Sequence, residues 1–130
     1  MEKNLHLIAM VEHISNVYAA IAKKIEELIL LLNEGETDTN TKVLGKNITV
    51  FLQQLSQSIM STEVRARSLP PSQKRKFLKL AHQELKRIKD LESYIELSEN
   101  SPQPQVIKKI NELYRLIKKE IKKEEVIVSD

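Results

Sequence analysis

Along the first quarter of the chain, Leu7, Val11, Ile14, Tyr18, Ile21, Ile25, Leu28 and Leu32 recur at alternating steps of four and three. On a helix of 3.6 residues per turn that spacing gathers them on one side. Ile8, Ala22 and Ile29 widen the stripe beyond a two-stranded seam, so the helix is expected to bury itself against more than one neighbour. The same periodicity returns in Leu44, Ile48, Phe51, Leu52, Leu55 and Ile59, and then in Phe77, Leu78, Ala81, Leu85, Ile88, Leu91 and Ile95. A last stripe consists of Val106, Ile107, Ile110, Leu113, Ile117 and Ile121. The only β-like run is Val126-Ile127-Val128, which reads as part of a tail.

Breaks in the pattern separate these stripes. Glu34 to Thr41 is polar, carries the helix stop signal Gly35, and offers side-chain oxygens able to cap the next helix. Leu69-Pro70-Pro71 suits a helix entry, because proline is tolerated in a first turn and not in an interior. Ser101-Pro102-Gln103-Pro104 breaks the chain again. Helices are therefore predicted at about 4–33, 41–66, 71–98 and 104–124, with 126–130 as a C-terminal tail. Gly45 weakens the start of the second by about 1 kcal/mol relative to alanine. Short connections favour antiparallel neighbours, so the expected fold is all-α, an antiparallel up-and-down bundle of three to four helices in a single domain over 1–125. The fourth helix is free in this reading to pack on the bundle, extend into solvent or dock on another subunit.

Composition narrows the class. The 130 residues suffice for one core, and a 41% hydrophobic share with 30% charged residues is that of a folded helical chain. Without cysteine there is no disulfide or thiolate zinc site. The start Met1-Glu2-Lys3-Asn4 lacks the features of a secretory leader, and the longest aliphatic run is Leu28 to Leu32. No transmembrane segment is predicted, and a cytoplasmic location is expected. Catalysis finds little purchase: no serine sits in a Gly-x-Ser-x-Gly elbow, and Gly35 and Gly45 are isolated, which disfavours a phosphate-cradling loop. No catalytic residue, cofactor or metal site is assigned. Asn47-Ile48-Thr49 matches a glycosylation sequon and receives no role.

The net charge of +3 conceals strong segregation. Residues 1–63 sum to −3, residues 64–89 to +8 with Glu84 their single acid, residues 90–104 to −4 and residues 105–130 to +2. Within the third helix Arg75, Lys79, His82, Lys86 and Lys89 follow steps of four, three, four and three, and so form a stripe roughly 160° from the apolar centre. Lys74, Lys76 and Arg87 widen it, and Arg65 and Arg67 approach from the preceding segment. Solvated helix faces ordinarily mix acids with bases; this one has almost no acids, which makes it the best candidate for contact with an anionic partner. Phosphate backbones need only positive charge, so nucleic acid binding is open, but the single nearby aromatic, Phe77, belongs to the apolar stripe and base stacking is poorly supported.

His6 and His13 lie seven residues apart on one helical face with Met10 between them. With Glu12 and Glu84 they are the residues that would have to converge in a ferritin-like metal protein. Such proteins carry Glu-x-x-His pairs, whereas this chain reads Glu84-Leu85-Lys86-Arg87, with arginine at the ligand position.

The long first helix ending at Leu32-Asn33-Glu34-Gly35, the polar turn with Asp38, the Gln/Ser-rich second helix, and Ser68-Leu69-Pro70-Pro71-Ser72-Gln73-Lys74-Arg75 leading into a third together resemble the N-terminal three-helix domain of syntaxin-type SNAREs over residues 7–97. The resemblance is one of architecture and composition. It implies a bundle whose grooves and faces engage other helices, and it transfers no residue-level role; no SNARE helix or membrane anchor is recognisable. The function expected is that of a non-enzymatic interaction module, an adaptor, regulator or small subunit, binding a protein partner or itself through helical faces. A small nucleic-acid-binding subunit that contacts phosphates without reading sequence is the alternative.

Overall fold

The computed structural model describes residues 2–129, with side chains from Leu5 onward. Four helices follow one another: α1 (Glu2–Asn33), α2 (Thr39–Ala66), α3 (Pro71–Asn100) and α4 (Pro104–Ser129). The packed pairs are α1 with α2, α2 with α3, α3 with α4, and α4 with α1. With connections of five, four and three residues, each helix reverses on its predecessor and the four close a ring around one core, an up-and-down antiparallel bundle.

Each connection has a local cause. Gly35 adopts φ of 79° and ends α1 in a Schellman turn: the Glu36 N–H bonds the Leu31 carbonyl at 2.9 Å and the Gly35 N–H bonds that of Leu32 at 3.0 Å. Asp38 caps α2, its carboxylate accepting from the Thr41 N–H at 2.9 Å and the Thr41 hydroxyl at 3.0 Å. That backbone hydrogen bond, then the hydroxyl, holds the Asp38 carboxyl below its ordinary value. Pro71 stands in the first turn of α3, where its missing N–H costs nothing, and the Lys74 N–H bonds the Pro70 carbonyl at 2.8 Å.

The core is built on heptad-spaced positions. In α1 every member of the predicted stripe from Leu7 to Leu32 is buried. In α2 the buried line runs Thr41, Gly45, Ile48, Leu52, Leu55, Ile59, Thr62 and Ala66, leaving Leu44 half-buried and Phe51 36% exposed at its flank. Lys24 of α1 lies over the Phe51 ring, 5.6 Å from its centroid. In α3 the line is Phe77, Ala81, Glu84, Ile88, Leu91, Ile95 and Ser98, with Leu78 and Leu85 half-buried beside it. Two tyrosines tie α1 to α4: the Tyr18 hydroxyl donates to the Tyr114 carbonyl, and the Tyr114 hydroxyl donates to Glu26 Oε1 at 3.4 Å.

Two expectations about the C-terminal part change. The fourth helix packs on the bundle between α1 and α3, and it runs through the expected tail to Ser129, with Val128 only 1% exposed. Val126-Ile127-Val128 is its final turn; the apolar period continues through Ile121 to Val128 because the intervening core position is Glu124, which reads as polar in the sequence. By length and composition α1 is apolar enough over Leu5–Asn33 to cross a membrane; in the bundle its stripe faces inward, while Leu5 and Leu30 remain exposed.

Candidate functional site

The predicted basic stripe is on the surface. Arg75, Lys79, His82, Lys86 and Lys89 are all exposed along the outer side of α3, opposite the buried line of Ala81, Glu84 and Ile88. Lys76, Arg65 and Arg67 are exposed as well, the last two at the end of α2 and its turn, and Lys74 is half-buried. Arg87 departs from the expectation. It sits one position toward α4, is half-buried, and pairs with Glu120 Oε1 at 2.7 Å, so it belongs to the α3–α4 seam rather than to the outer stripe. His82 stays on the stripe but reaches Glu63 of α2 at 3.2 Å. Among the described residues no ion pair engages Lys74, Arg75, Lys76, Lys79, Lys86 or Lys89.

The basic surface continues onto α4, where Lys119, Lys122 and Lys123 are exposed. Toward the end of the bundle where α4 finishes, α3 and α4 leave an open groove whose floor is Leu80, Val126 and Ile127 and whose rim is Lys76, Lys79 and Lys123, with Gln83 at one end. No aspartate or glutamate lines it. The acids of these two helices are instead directed inward: Glu84 and Glu124 are fully buried and Glu120 is 4% exposed. This inversion, bases outward and acids inward, gives the α3–α4 side its unbalanced positive charge.

The buried carboxyls form a cluster that the sequence pattern does not reveal. Both oxygens of Glu84, both of Glu124, and Oε2 of Glu120 are buried with no hydrogen-bond partner among the described residues. Burial pushes the Glu84 carboxyl well above its ordinary value, and the neighbouring carboxylates of Glu124, Glu120 and Glu63 push it further. Glu124 is also raised, chiefly by burial; Glu120, Glu63 and Glu125 add to the shift and its interaction with Glu84 opposes it. Glu120 is raised by burial despite the opposing charges of Arg87 and Lys123. Burial, then the charges of Tyr114, Glu26 and Glu84, raises the nearby Tyr18 hydroxyl strongly. The Glu84–Glu124 pair is thereby held protonated to a pH at which exposed glutamates are ionised.

The four residues considered for a metal centre do not converge. His6 and His13 line an open groove on the α1–α2 side with Met10, Gln57 and Ser61, Glu12 is exposed, and Glu84 is inside the bundle. Among the described residues no group of three or more His, Cys, Asp or Glu is placed to hold a metal ion. Compared with known protein families, curated proteins and solved structures, the chain has no significant match.

Proposed function

We propose that this protein is a non-enzymatic interaction module, an adaptor, regulator or small subunit acting in the cytoplasm, whose basic α3 face engages an anionic partner. The observation that carries the reading is the exposure of Arg75, Lys79, Lys86 and Lys89 in one line while the acids of α3 and α4 lie inside. Ordinary solvation requires no such separation of sign; a surface that collects anions does. The resemblance to syntaxin-type three-helix domains implies partners that are helices. Here the chain's own α4 lies between α1 and α3, which leaves the outer faces for partners.

Nucleic acid is the second reading, favoured by the same exposed cations and limited to phosphate contacts, since Phe77 is buried and Phe51 belongs to α2. One titration tests both. Labelled acidic polypeptide, RNA and DNA are offered at several salt concentrations to wild type and to a Lys79→Glu, Lys86→Glu, Lys89→Glu variant whose fold is checked by circular dichroism. Salt-sensitive binding lost in the folded variant supports the basic face, and the preferred ligand tells the two readings apart. Absence of binding to any of the three at low salt rejects the basic face as the site.

A further inference from the structure

The geometry points to an acidic amphipathic helix as the occupant of the α3–α4 groove, held by its apolar side on Leu80, Val126 and Ile127 and by its carboxylates on Lys76, Lys79 and Lys123. This inference rests on the reading of the α3 side as an interaction face and names the class of its partner. Charge complementarity sets the sign: three lysines rim the groove, no acid lines it, and the pairs of the neighbouring seam, Arg87 with Glu120 among them, are already made. The floor sets the chemistry of the other side. Val126 is 63% exposed at the end of α4, an apolar side chain left in water where the helix turns over a lysine-rich rim. A nucleic acid or a free anion would use the lysines and leave this floor uncovered.

Length sets the register. The α3 residues of the groove run from Lys76 to Gln83, a rise of about 10 Å at 1.5 Å per residue. Two turns of a partner helix fill that distance, with apolar anchors at i, i+3 or i+4, and i+7 and acidic residues on the flanks. The remaining lysines of the α3 stripe, Lys86 and Lys89, lie beyond the groove and contribute long-range attraction without contact.

The test uses a short labelled peptide with leucine at i, i+3 and i+7 and glutamate on both flanks, read by fluorescence anisotropy against the full chain. A scrambled peptide of the same composition, polyglutamate, single-stranded DNA and phosphatidylserine vesicles serve as comparators. The patterned peptide is expected to bind about tenfold more tightly than the scrambled one. Lys76→Glu with Lys123→Glu should abolish that preference, the exposed floor variant Val126→Ser should reduce it several-fold, and Lys86→Glu with Lys89→Glu should leave it in place. Equal binding of patterned and scrambled peptides, or a preference for DNA or vesicles untouched by Val126→Ser, overturns the groove proposal. If in that case Lys86→Glu with Lys89→Glu removes binding of the preferred anion, the broader reading of the basic face stands; if no anionic probe binds at low salt, both fall.

Discussion

Glu84 and Glu124 occupy positions that the heptad pattern reserves for aliphatic side chains, and both are fully buried without a hydrogen-bond partner among the described residues. A carboxylate in that setting is costly, so the folded protein retains protons that the unfolded chain releases at the ordinary glutamate value of about 4.3. Linkage between protonation and folding fixes the sign of the effect. With folded-state values raised, the contribution to stability is full below the unfolded value and is lost as pH rises through the folded values, so stability declines from mildly acidic pH through neutrality. The charges facing the pair are Tyr18 from α1, Glu63 from α2, Arg87 of α3 through its partner Glu120, and Glu120 and Glu125 from α4. The His82–Glu63 pair weakens in the same direction as the histidine loses its proton. Overall repulsion runs the other way, because the chain approaches its isoelectric point near 9.1 as pH rises. Urea denaturation at acidic and mildly alkaline pH should show lower stability at the alkaline end. Glu84→Leu should flatten that dependence and stabilise the alkaline state by about 1–4 kcal/mol. An unchanged pH profile in Glu84→Leu would assign the slope to other groups.

The two glycines give a paired prediction at the same scale. Gly35 has φ of 79° in the turn after α1, a conformation that costs an L-residue about 1–2 kcal/mol, so Gly35→Ala should destabilise by roughly that amount. Gly45 is buried inside α2 with an ordinary helical backbone, and a methyl group there would meet Ile95 Cγ2 and Glu99 Oε1 at 3.5 Å, normal contact distances. Gly45→Ala should therefore stabilise by about 0.5–1 kcal/mol from helix propensity. Thermal melts of the two variants should move in opposite directions.

At the scale of the element, α1 was legible in full because each of its core positions is apolar, and the period could be read without a gap. In α2 the true core line includes Thr41, Gly45, Thr62 and Ala66, small residues with little apolar signature, so Leu44 and Phe51 drew the predicted face toward a flank. The stripe of α3 was located correctly while its member Glu84 was missed, since a charged residue at a core position is invisible to a rule that counts apolar ones. The same blindness shortened α4: with Glu120 and Glu124 read as surface, the period stops at Ile121. Following the spacing from Ile117 through Ile121 and Glu124 to Val128 would have recovered both the helix and the buried acids. The outer positions of the basic stripe were legible because like charge at helical spacing needs no partner to be recognised, whereas the inward turn of Arg87 depends on Glu120, thirty-three residues further along the chain. The extended α4 makes its own prediction. Removal of residues 126–130 exposes the site of Val128 and deletes the contact of Gln73 Nε2 with the Ile127 carbonyl at 3.4 Å. It should cost about 1.5–3 kcal/mol, seen as a lower urea midpoint with the helical spectrum otherwise kept.

For the whole molecule the decisive property is that charge is sorted between two sides of a ring of four helices. From Asn47 to Thr62, α2 carries no charged residue, and its outer line of Val43, Val50 and Val64 is exposed and apolar. Across the bundle, α3 and α4 present lysines whose nearby acids are buried. A bound anionic partner should thus shield one side only. Limited acetylation with and without saturating polyglutamate, followed by mass spectrometry, reads this directly lysine by lysine. Lys76, Lys79, Lys119 and Lys123 should be protected, and Lys42 and Lys46 on α2 should react as in the absence of the ligand. Protection should fade as salt is raised, since exposed charges separated by more than about 8 Å are screened at physiological ionic strength. Equal protection on both sides would mean that net charge alone attracts the polymer, and the sorting of acids inward and bases outward would then serve the stability of the α3–α4 seam instead of recognition.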